Sequence, residues 1–337
     1  MTSSSILNSA LFQWIGLPII LFLLVLSNLK IGAYPVSMTN FLEWISWRVL
    51  GTIKPDEAVI LVIEKIRAPR ILAAILIGAA FSCAGAAYQS IFRNPLVSPD
   101  ILAVSSGAAF GACLAIIGSM SIVAIQMGAF LGGIGAVCIV LIIAHMVPRR
   151  DVTLVLVLAG IVVGSLFGAG VSLLKIIGDP YEKLPIITFW LLGSLSRVQL
   201  DNILIISPFF IIGIILLVSL RFRIDVMTIG EEEAKTLGIH TGRIRLITII
   251  CATLLTSIAV SIAGIIGWVG LVVPHISRMI VGPSFGRVGP TSAFVGAIFL
   301  LIVDSCARSL ASTEIPLGIL TAIIGAPIFI WLLIRGK

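Results

Sequence analysis

Residues 71–90 read ILAAILIGAAFSCAGAAYQS and contain no charged side chain. A helix needs about 20 mostly apolar residues to cross the hydrocarbon core of a bilayer, so this stretch is long enough to span a membrane. The whole chain of 337 residues is similar, with 59% hydrophobic and 11% charged residues and a mean hydropathy of +1.21. Soluble domains carry about 25% charged residues. The composition therefore predicts an all-α membrane protein and excludes disordered, collagen-like and disulfide-stabilised chains.

Nine further apolar stretches are present, so the chain is predicted to span the membrane about ten times. The predicted spans are residues 11–29, 71–90, 99–117, 122–146, 152–174, 199–219, 246–264, 267–281, 290–307 and 314–334. No charged residue precedes the first span, and it is longer than the apolar core of a signal peptide. We therefore expect it to be retained as a membrane helix.

The basic residues predict the orientation of these spans. Lys and Arg exceed Asp and Glu by seven (22 against 15), and cytoplasmic loops are enriched in Lys and Arg. Clusters at Arg93, at 149–150, at 221–245 and near the C-terminus lie between alternate spans. We therefore expect both termini in the cytoplasm of a bacterial inner membrane. The same reasoning explains the positive charge without nucleic acid as a partner.

The connections on the opposite side of the membrane are longer. Residues 31–68 contain Trp44 and Trp47 in a mixed polar and apolar pattern, which predicts an outer loop with an interfacial helix. Residues 176–198 and 308–314 are predicted to be outer loops that carry short helices.

Several spans are rich in glycine and alanine, including positions near Gly78, near Gly107 and from Gly128 to Gly135. Small residues let helix backbones approach closely in a membrane bundle, so we interpret them as packing positions. A helix that bends or shifts during transport is the alternative.

The sequence contains little material for catalysis. It has no phosphate-binding G-x-x-x-x-G-K-[ST] loop, no H-E-x-x-H and no G-x-S-x-G. Its five cysteines lie in apolar stretches without C-x-x-C spacing, which is atypical of metal sites and disulfide frameworks. We therefore expect no enzymatic activity, no metal site and no cofactor in this chain.

Asp304 is the one carboxylate placed well inside a predicted span. A buried acid of this kind could couple an ion-driven secondary transporter, which is the main alternative class of protein. Asp304 is also four residues before Arg308, a spacing that places both side chains on one helix face. The sequence favours a structural ion pair.

The polar segment 221–245 is the most informative part outside the spans. Thr228 could begin a short helix, residues 231–233 would place three Glu near its positive end, and Gly238 could end it. The segment is either a solvated connector or a docking element for a cytoplasmic partner.

Together with other motifs, this segment resembles the permeases of the type II ABC importer family, which import iron-siderophore complexes, haem and vitamin B12. The resemblance extends from about residue 60 to the C-terminus. It is carried, besides 231–238, by residues 67–74 (RAPRILAA), 85–89 (GAAYQ), 93–100 (RNPLVSPD), 267–276 (GWVGLVVPHI), 314–318 (EIPLG) and 325–331 (GAPIFIW).

The resemblance implies one permease domain over residues 1–337 with the inverted-repeat fold of this family. It also implies a homodimer, two cytoplasmic subunits that bind ATP and Mg, and a periplasmic substrate-binding protein. Segment 221–245 would be the cytoplasmic coupling loop. Its ATPase-docking residues would be Glu231, Glu232, Ala234, Leu237 and Gly238.

The resemblance further implies that outer-surface arginines bind carboxylates of the binding protein. The matching positions are Arg67, Arg70 and Arg308, for which contact with lipid phosphates is the alternative. Overall, the chain is most similar to members that carry molybdate or tungstate, while iron-siderophore, haem and cobalamin cargo stay open. No individual pathway residue is identified, although the third, fifth and tenth spans are expected to line the route.

Overall fold

A computed structural model describes residues 11–32, 34–147, 151–311 and 313–335. These residues form fourteen helices and no strand, which confirms the predicted all-α class. The helices are α1 (Phe12–Lys30), α2 (Met38–Leu50), α3 (Glu57–Ile91), α4 (Val104–Ile117), α5 (Ile122–Met146), α6 (Val152–Ile177), α7 (Lys183–Leu192), α8 (Leu200–Ser219), α9 (Arg221–Ile229), α10 (Glu231–Thr236), α11 (Thr241–Ala263), α12 (Val269–Val281), α13 (Phe285–Ser309) and α14 (Leu317–Arg335).

Each of the ten predicted spans coincides with one of these helices. Seven helices, namely α1, α3, α5, α6, α8, α11 and α13, are long and apolar enough to cross a bilayer. Three more predicted spans, α4, α12 and α14, are shorter apolar helices. The prediction of about ten membrane helices agrees with this arrangement.

The second span is longer than predicted because α3 begins at Glu57 rather than near residue 71. Asp56 accepts a hydrogen bond from the backbone N–H of Ala58 (3.1 Å) and so caps its first turn. The helix then passes through a π-helical turn, Leu61–Arg67, into the apolar stretch. The last third of the predicted outer loop 31–68 is thus part of α3, and the predicted helix is present before it as α2.

Two other boundaries differ from the prediction. The third span is interrupted, because Pro99–Leu102 forms a 3₁₀ turn and Ala103 takes a left-handed conformation (φ +64°) before α4 begins. At the other outer loop, α13 continues to Ser309. The described residues between α13 and α14 contain no helix, so the prediction of a short helix in 308–314 is wrong for them. The helix predicted in 176–198 is present as α7.

The bundle is built around α3, which is buried along most of its length and packs against α8, α11, α12 and α13. Glycine makes its closest contacts possible. A Cβ atom built on Gly78 would lie 2.2 Å from the carbonyl oxygen of Gly296 in α13, and one on Gly107 would lie 2.3 Å from that of Gly132 in α5. The packing interpretation is confirmed at these positions.

Candidate functional site

The segment 221–245, called the coupling segment below, begins with two short helices instead of the single one expected. Gly230 separates α9 from α10 with an extended backbone (φ 165°, ψ 157°). The predicted cap at Thr228 is wrong: this residue lies inside α9, where its hydroxyl donates to the carbonyl oxygen of Asp225 (2.6 Å). A Cβ at Gly230 would lie 1.8 Å from a carboxylate oxygen of Glu233, which is the free end of a flexible, exposed side chain and can move aside.

Helix α10 is fixed to the start of α11 by Glu231. Its carboxylate accepts hydrogen bonds from Arg245 (2.9 Å) and from the Thr241 hydroxyl (3.1 Å). The bond from Arg245 holds the pKa of Glu231 below its usual value, although partial burial acts in the opposite direction. Within α10, the side chain of Ala234 is fully buried. These contacts give a six-residue helix a defined position that its length alone would not provide.

The opposite face of α10 is open. Glu232 and Leu237 are exposed, the latter by 65%, and Gly238 is exposed beside them. Gly238 ends the helix as predicted, because its left-handed backbone (φ +77°) lets its N–H donate to the carbonyl oxygen of Lys235 (2.9 Å). Of the five residues predicted to dock the ATPase, Glu231 and Ala234 therefore position the helix, and the other three form its accessible surface.

One residue of the coupling segment was not recognised in the sequence. The carboxylate of Asp225 in α9 accepts hydrogen bonds from the backbone N–H groups of Phe285 (2.5 Å) and Gly286 (3.1 Å) and from the Ser284 hydroxyl (2.8 Å). It thereby caps the first turn of α13 from a distant part of the chain. An acid in a basic stretch is the only local signal for this contact.

The three arginines predicted to dock the binding protein lie close together, at the end of the bundle where α1 and α13 finish. Arg70 donates through Nε to Asp304 (2.5 Å) and through both terminal nitrogens to Glu314 (2.8 and 2.7 Å). The side chain of Asp304 is fully buried and Arg70 is only 6% exposed. This is a buried ion pair with fork-like geometry on Glu314.

Arg308 lies at the same end of the bundle as Arg70. Arg308 donates to Asp304 (3.0 Å), to the side-chain oxygen of Asn28 (2.9 Å) and to the carbonyl of Ile31 (3.0 Å). The ion pair expected between Asp304 and Arg308 is therefore confirmed.

The buried Arg67 instead binds backbone carbonyls in the last turn of α1 and in the segment after it. It donates to the carbonyl oxygens of Leu29 and Lys30 (2.7 Å each) and to that of Tyr34. Each of the three guanidinium groups thus has acceptors within the chain. Neither the binding of an external carboxylate nor contact with lipid phosphate is needed to explain their positions.

A groove lies between the 3₁₀ turn before α4 and helix α6. Its walls include hydroxyl groups of Ser98, Ser106 and Ser165, and Gly160 lets the backbones approach closely. It involves the third and fifth predicted spans, which were expected to line a pathway. Across the described ranges, no three His, Cys, Asp or Glu side chains are grouped as a metal site.

Comparison with known proteins identifies the family. The FecCD transport family model matches residues 19–335. The molybdate import permease MolB of Haemophilus influenzae is 40% identical, covering 93% of each chain. The hemin transport permease HmuU of Yersinia pestis is 33% identical, covering 95% of this chain and 94% of its own. The cobalamin import permease BtuC of Halobacterium salinarum is 39% identical, covering 83% and 74%.

Solved structures agree with this assignment. A metal-chelate type ABC transporter in an inward-facing conformation superimposes with a TM-score of 0.86 at 38% identity, covering 95% of this chain and 98% of that one. PsaBC from Streptococcus pneumoniae, at 15% identity and a TM-score of 0.58, shares the fold alone. This integral membrane protein, with its apolar helices, its exposed α10 and its buried arginine cluster, belongs to the FecCD transport family and is a permease of the metal-chelate type of ABC importers.

Proposed function

We propose that this chain forms the membrane pathway of an importer that takes a metal oxyanion, molybdate or tungstate, into the cytoplasm. ATP is hydrolysed, with Mg, on two separate subunits, and this chain itself binds no cofactor. The similarity to a permease named for molybdate import supports the oxyanion. Iron-siderophore, haem and cobalamin complexes are the alternative cargo, because relatives of similar identity are named for the transport of iron chelatin, cobalamin and hemin.

The proposal that a separate ATPase drives this permease rests on the shape of α10. It is anchored on one side by Glu231 and Ala234 and presents Leu237 and Gly238 on the other. A rigid projection with an apolar tip and acidic neighbours is suited to a cleft on a partner subunit. We propose that this surface receives the ATPase and that both chain termini lie on the same, cytoplasmic side.

Replacement of Leu237 tests the docking surface. Leu237→Glu places a charge at the proposed contact, and we expect at least tenfold less ATPase to co-purify with the permease. Ile53→Glu is the matched control, because Ile53 is 90% exposed in the loop between α2 and α3, far from α10 in the sequence. Equal recovery of ATPase with Leu237→Glu and the unaltered permease would rule out this surface.

The binding protein is proposed to dock at the end of the bundle that holds Arg67, Arg70 and Arg308. The clustering of the three arginines supports this proposal. Each guanidinium group already has acceptors within the chain, so a carboxylate of the binding protein has to bind beside these acceptors or displace them. Arg308 is the best placed because it is only partly buried. We expect Arg308→Ala to weaken binding-protein affinity at low salt several-fold. The control is Arg93→Ala, because Arg93 is exposed and follows α3 at the end of that helix remote from Arg70. Unchanged affinity of a correctly folded variant would refute this role.

Two copies of the chain are proposed to enclose the pathway, with the groove beside α6, which is lined by Asp100 as well as by the three serines, contributing to its wall. Hydroxyl groups can donate hydrogen bonds to the oxygens of an oxyanion without holding it tightly. The cargo is best identified by elemental analysis of the ligand that co-purifies with the cognate binding protein. Detection of molybdenum or tungsten would support an oxyanion as the cargo. Detection of iron or cobalt would instead identify the cargo as a metal chelate.

A further inference from the structure

The first turn of α13 is capped by a residue that belongs to the coupling segment. Two backbone N–H groups of α13 and the hydroxyl of Ser284 all donate to the Asp225 carboxylate. Ser284 occupies the N-cap position itself, yet within the described chain its side chain makes no capping bond to the helix. The capping acceptor therefore comes from α9, about 60 positions earlier in the sequence.

This contact adds polar bonds to the packing of α9 against α13. A carboxylate at a helix N-terminus interacts favourably with the positive end of the helix dipole as well as with the individual N–H groups. Phe285, the first residue of α13, is fully buried. Displacement of α9 therefore either moves the start of α13 with it or breaks three hydrogen bonds to one carboxylate.

Helix α13 continues from this contact to the arginine end of the bundle. It contains 25 residues, and Asp304 lies 19 residues beyond Phe285, which corresponds to about 28 Å at 1.5 Å per residue. Asp304 is bound there by Arg70 and Arg308. Between the two ends, the contact of Gly296 with Gly78 holds α13 directly against the backbone of α3.

We propose that Asp225 is a positioning residue for transport, which transmits movement of the coupling segment to α13 and through it to the cluster of Arg70, Asp304 and Glu314. The inference rests on the proposed docking of an ATPase on α10. It assigns a separate task to α9: α10 receives the partner, and Asp225 connects the received movement to the far end of the bundle.

The test uses the complete transporter in lipid nanodiscs. Hydrogen exchange of residues 304–318 is measured by mass spectrometry without nucleotide and after trapping with ATP and orthovanadate. Asp225→Asn keeps the shape of the side chain and removes its charge. Ser284→Ala removes one of the three donors and leaves the carboxylate. Asp201→Asn, an exposed acid in the first turn of α8, is the matched control.

We expect trapping to change the exchange rate of this region at least fivefold in the unaltered protein and in Asp201→Asn. In Asp225→Asn, ATPase co-purification and vanadate trapping should persist while this change is lost, and Ser284→Ala should give an intermediate change. A full response in Asp225→Asn, or no response in the unaltered protein, would overturn the inference. Loss of the ATPase from Asp225→Asn would also overturn it, because Asp225 would then act in docking. Failure of the ATPase to co-purify with the unaltered permease would instead contradict the proposed function.

Discussion

Arg70 is the residue on which the arginine end of the bundle depends. It lies between Asp304 and Glu314, and Asp304 also accepts from Arg308. Two positive and two negative groups alternate, so the cluster has no net charge and each charged atom has a partner. Ions can be buried in this way because their mutual attraction offsets the free energy lost on removal from water. We interpret the cluster as a connection between α3, α13 and the segment before α14.

Arg70→Ala tests that interpretation. The variant leaves the carboxylates of Asp304 and Glu314 without their main partner, and we expect the free energy of unfolding to fall by about 3–5 kcal/mol. Arg48→Ala is the control, because Arg48 is exposed in its pair with Glu64 and surface pairs contribute little to stability. Denaturant unfolding in detergent micelles measures both. Equal losses for the two variants would contradict a special role for Arg70.

Glu231 gives a prediction about pH at the same scale. Its pKa is lowered in the folded protein by the hydrogen bond from Arg245. A lowered folded pKa means that the stabilisation is fully present above the unfolded value, about 4.3, and is lost as the pH falls through the folded value. We expect Arg245→Met to return the Glu231 pKa towards that value in a ¹³C NMR titration of the glutamate carboxyl groups. An unchanged pKa would show that Arg245 is not its cause.

The sequence predicted that Arg67, Arg70 and Arg308 lie at one end of the bundle but not what they bind. Their common location follows from the order of the spans along the chain. The pairing of Arg70 with Asp304, 234 positions away, depends on which helices are neighbours and how they are rotated. The pairing of Asp304 with Arg308 could be predicted because both lie on one helix. The same distinction explains why Asp225 was missed.

At the scale of elements, the helices were predictable and their ends were not. Apolar length determines a membrane helix, so all ten predicted spans correspond to helices. The ends depend on features that the sequence does not reveal, such as the cap that lets α3 begin at Glu57 or the extended backbone at Gly230 that separates α9 from α10. The coupling segment was recognised as a polar helix, but its division into two helices with separate contacts was not.

Close packing of α3 against α13 leads to a prediction about glycine. Gly78→Ala would place a Cβ atom 2.2 Å from the carbonyl oxygen of Gly296, so the helices have to separate. We expect a loss of about 1–3 kcal/mol in the free energy of unfolding, typical of an overpacked core. Gly168→Ala in α6 is the control, because nothing lies within 4 Å of the new Cβ, and higher helix propensity should stabilise it by up to about 1 kcal/mol. Similar effects at both positions would contradict the packing interpretation.

At the scale of the whole molecule, the position of Asp304 distinguishes an ATP-driven permease from an ion-coupled transporter. A coupling carboxylate has to release and bind an ion or proton during each cycle. Asp304 is fully buried, and its two carboxylate oxygens are bound by Arg70 and Arg308. Its environment is that of a structural ion pair, so the energy for transport is expected to enter elsewhere, through the coupling segment.

This argument predicts the outcome of transport in proteoliposomes. The chain alone, given a proton or sodium gradient, should not accumulate molybdate, because Asp304, the acid buried within a span, is already bound by Arg70 and Arg308. Addition of the ATPase, the binding protein and ATP should start uptake, and vanadate should stop it. Asp304→Asn should impair the complete system by weakening the cluster with Arg70, while leaving the chain alone inactive. Gradient-driven uptake by the chain alone would identify it as a secondary transporter and remove the need for a partner at α10.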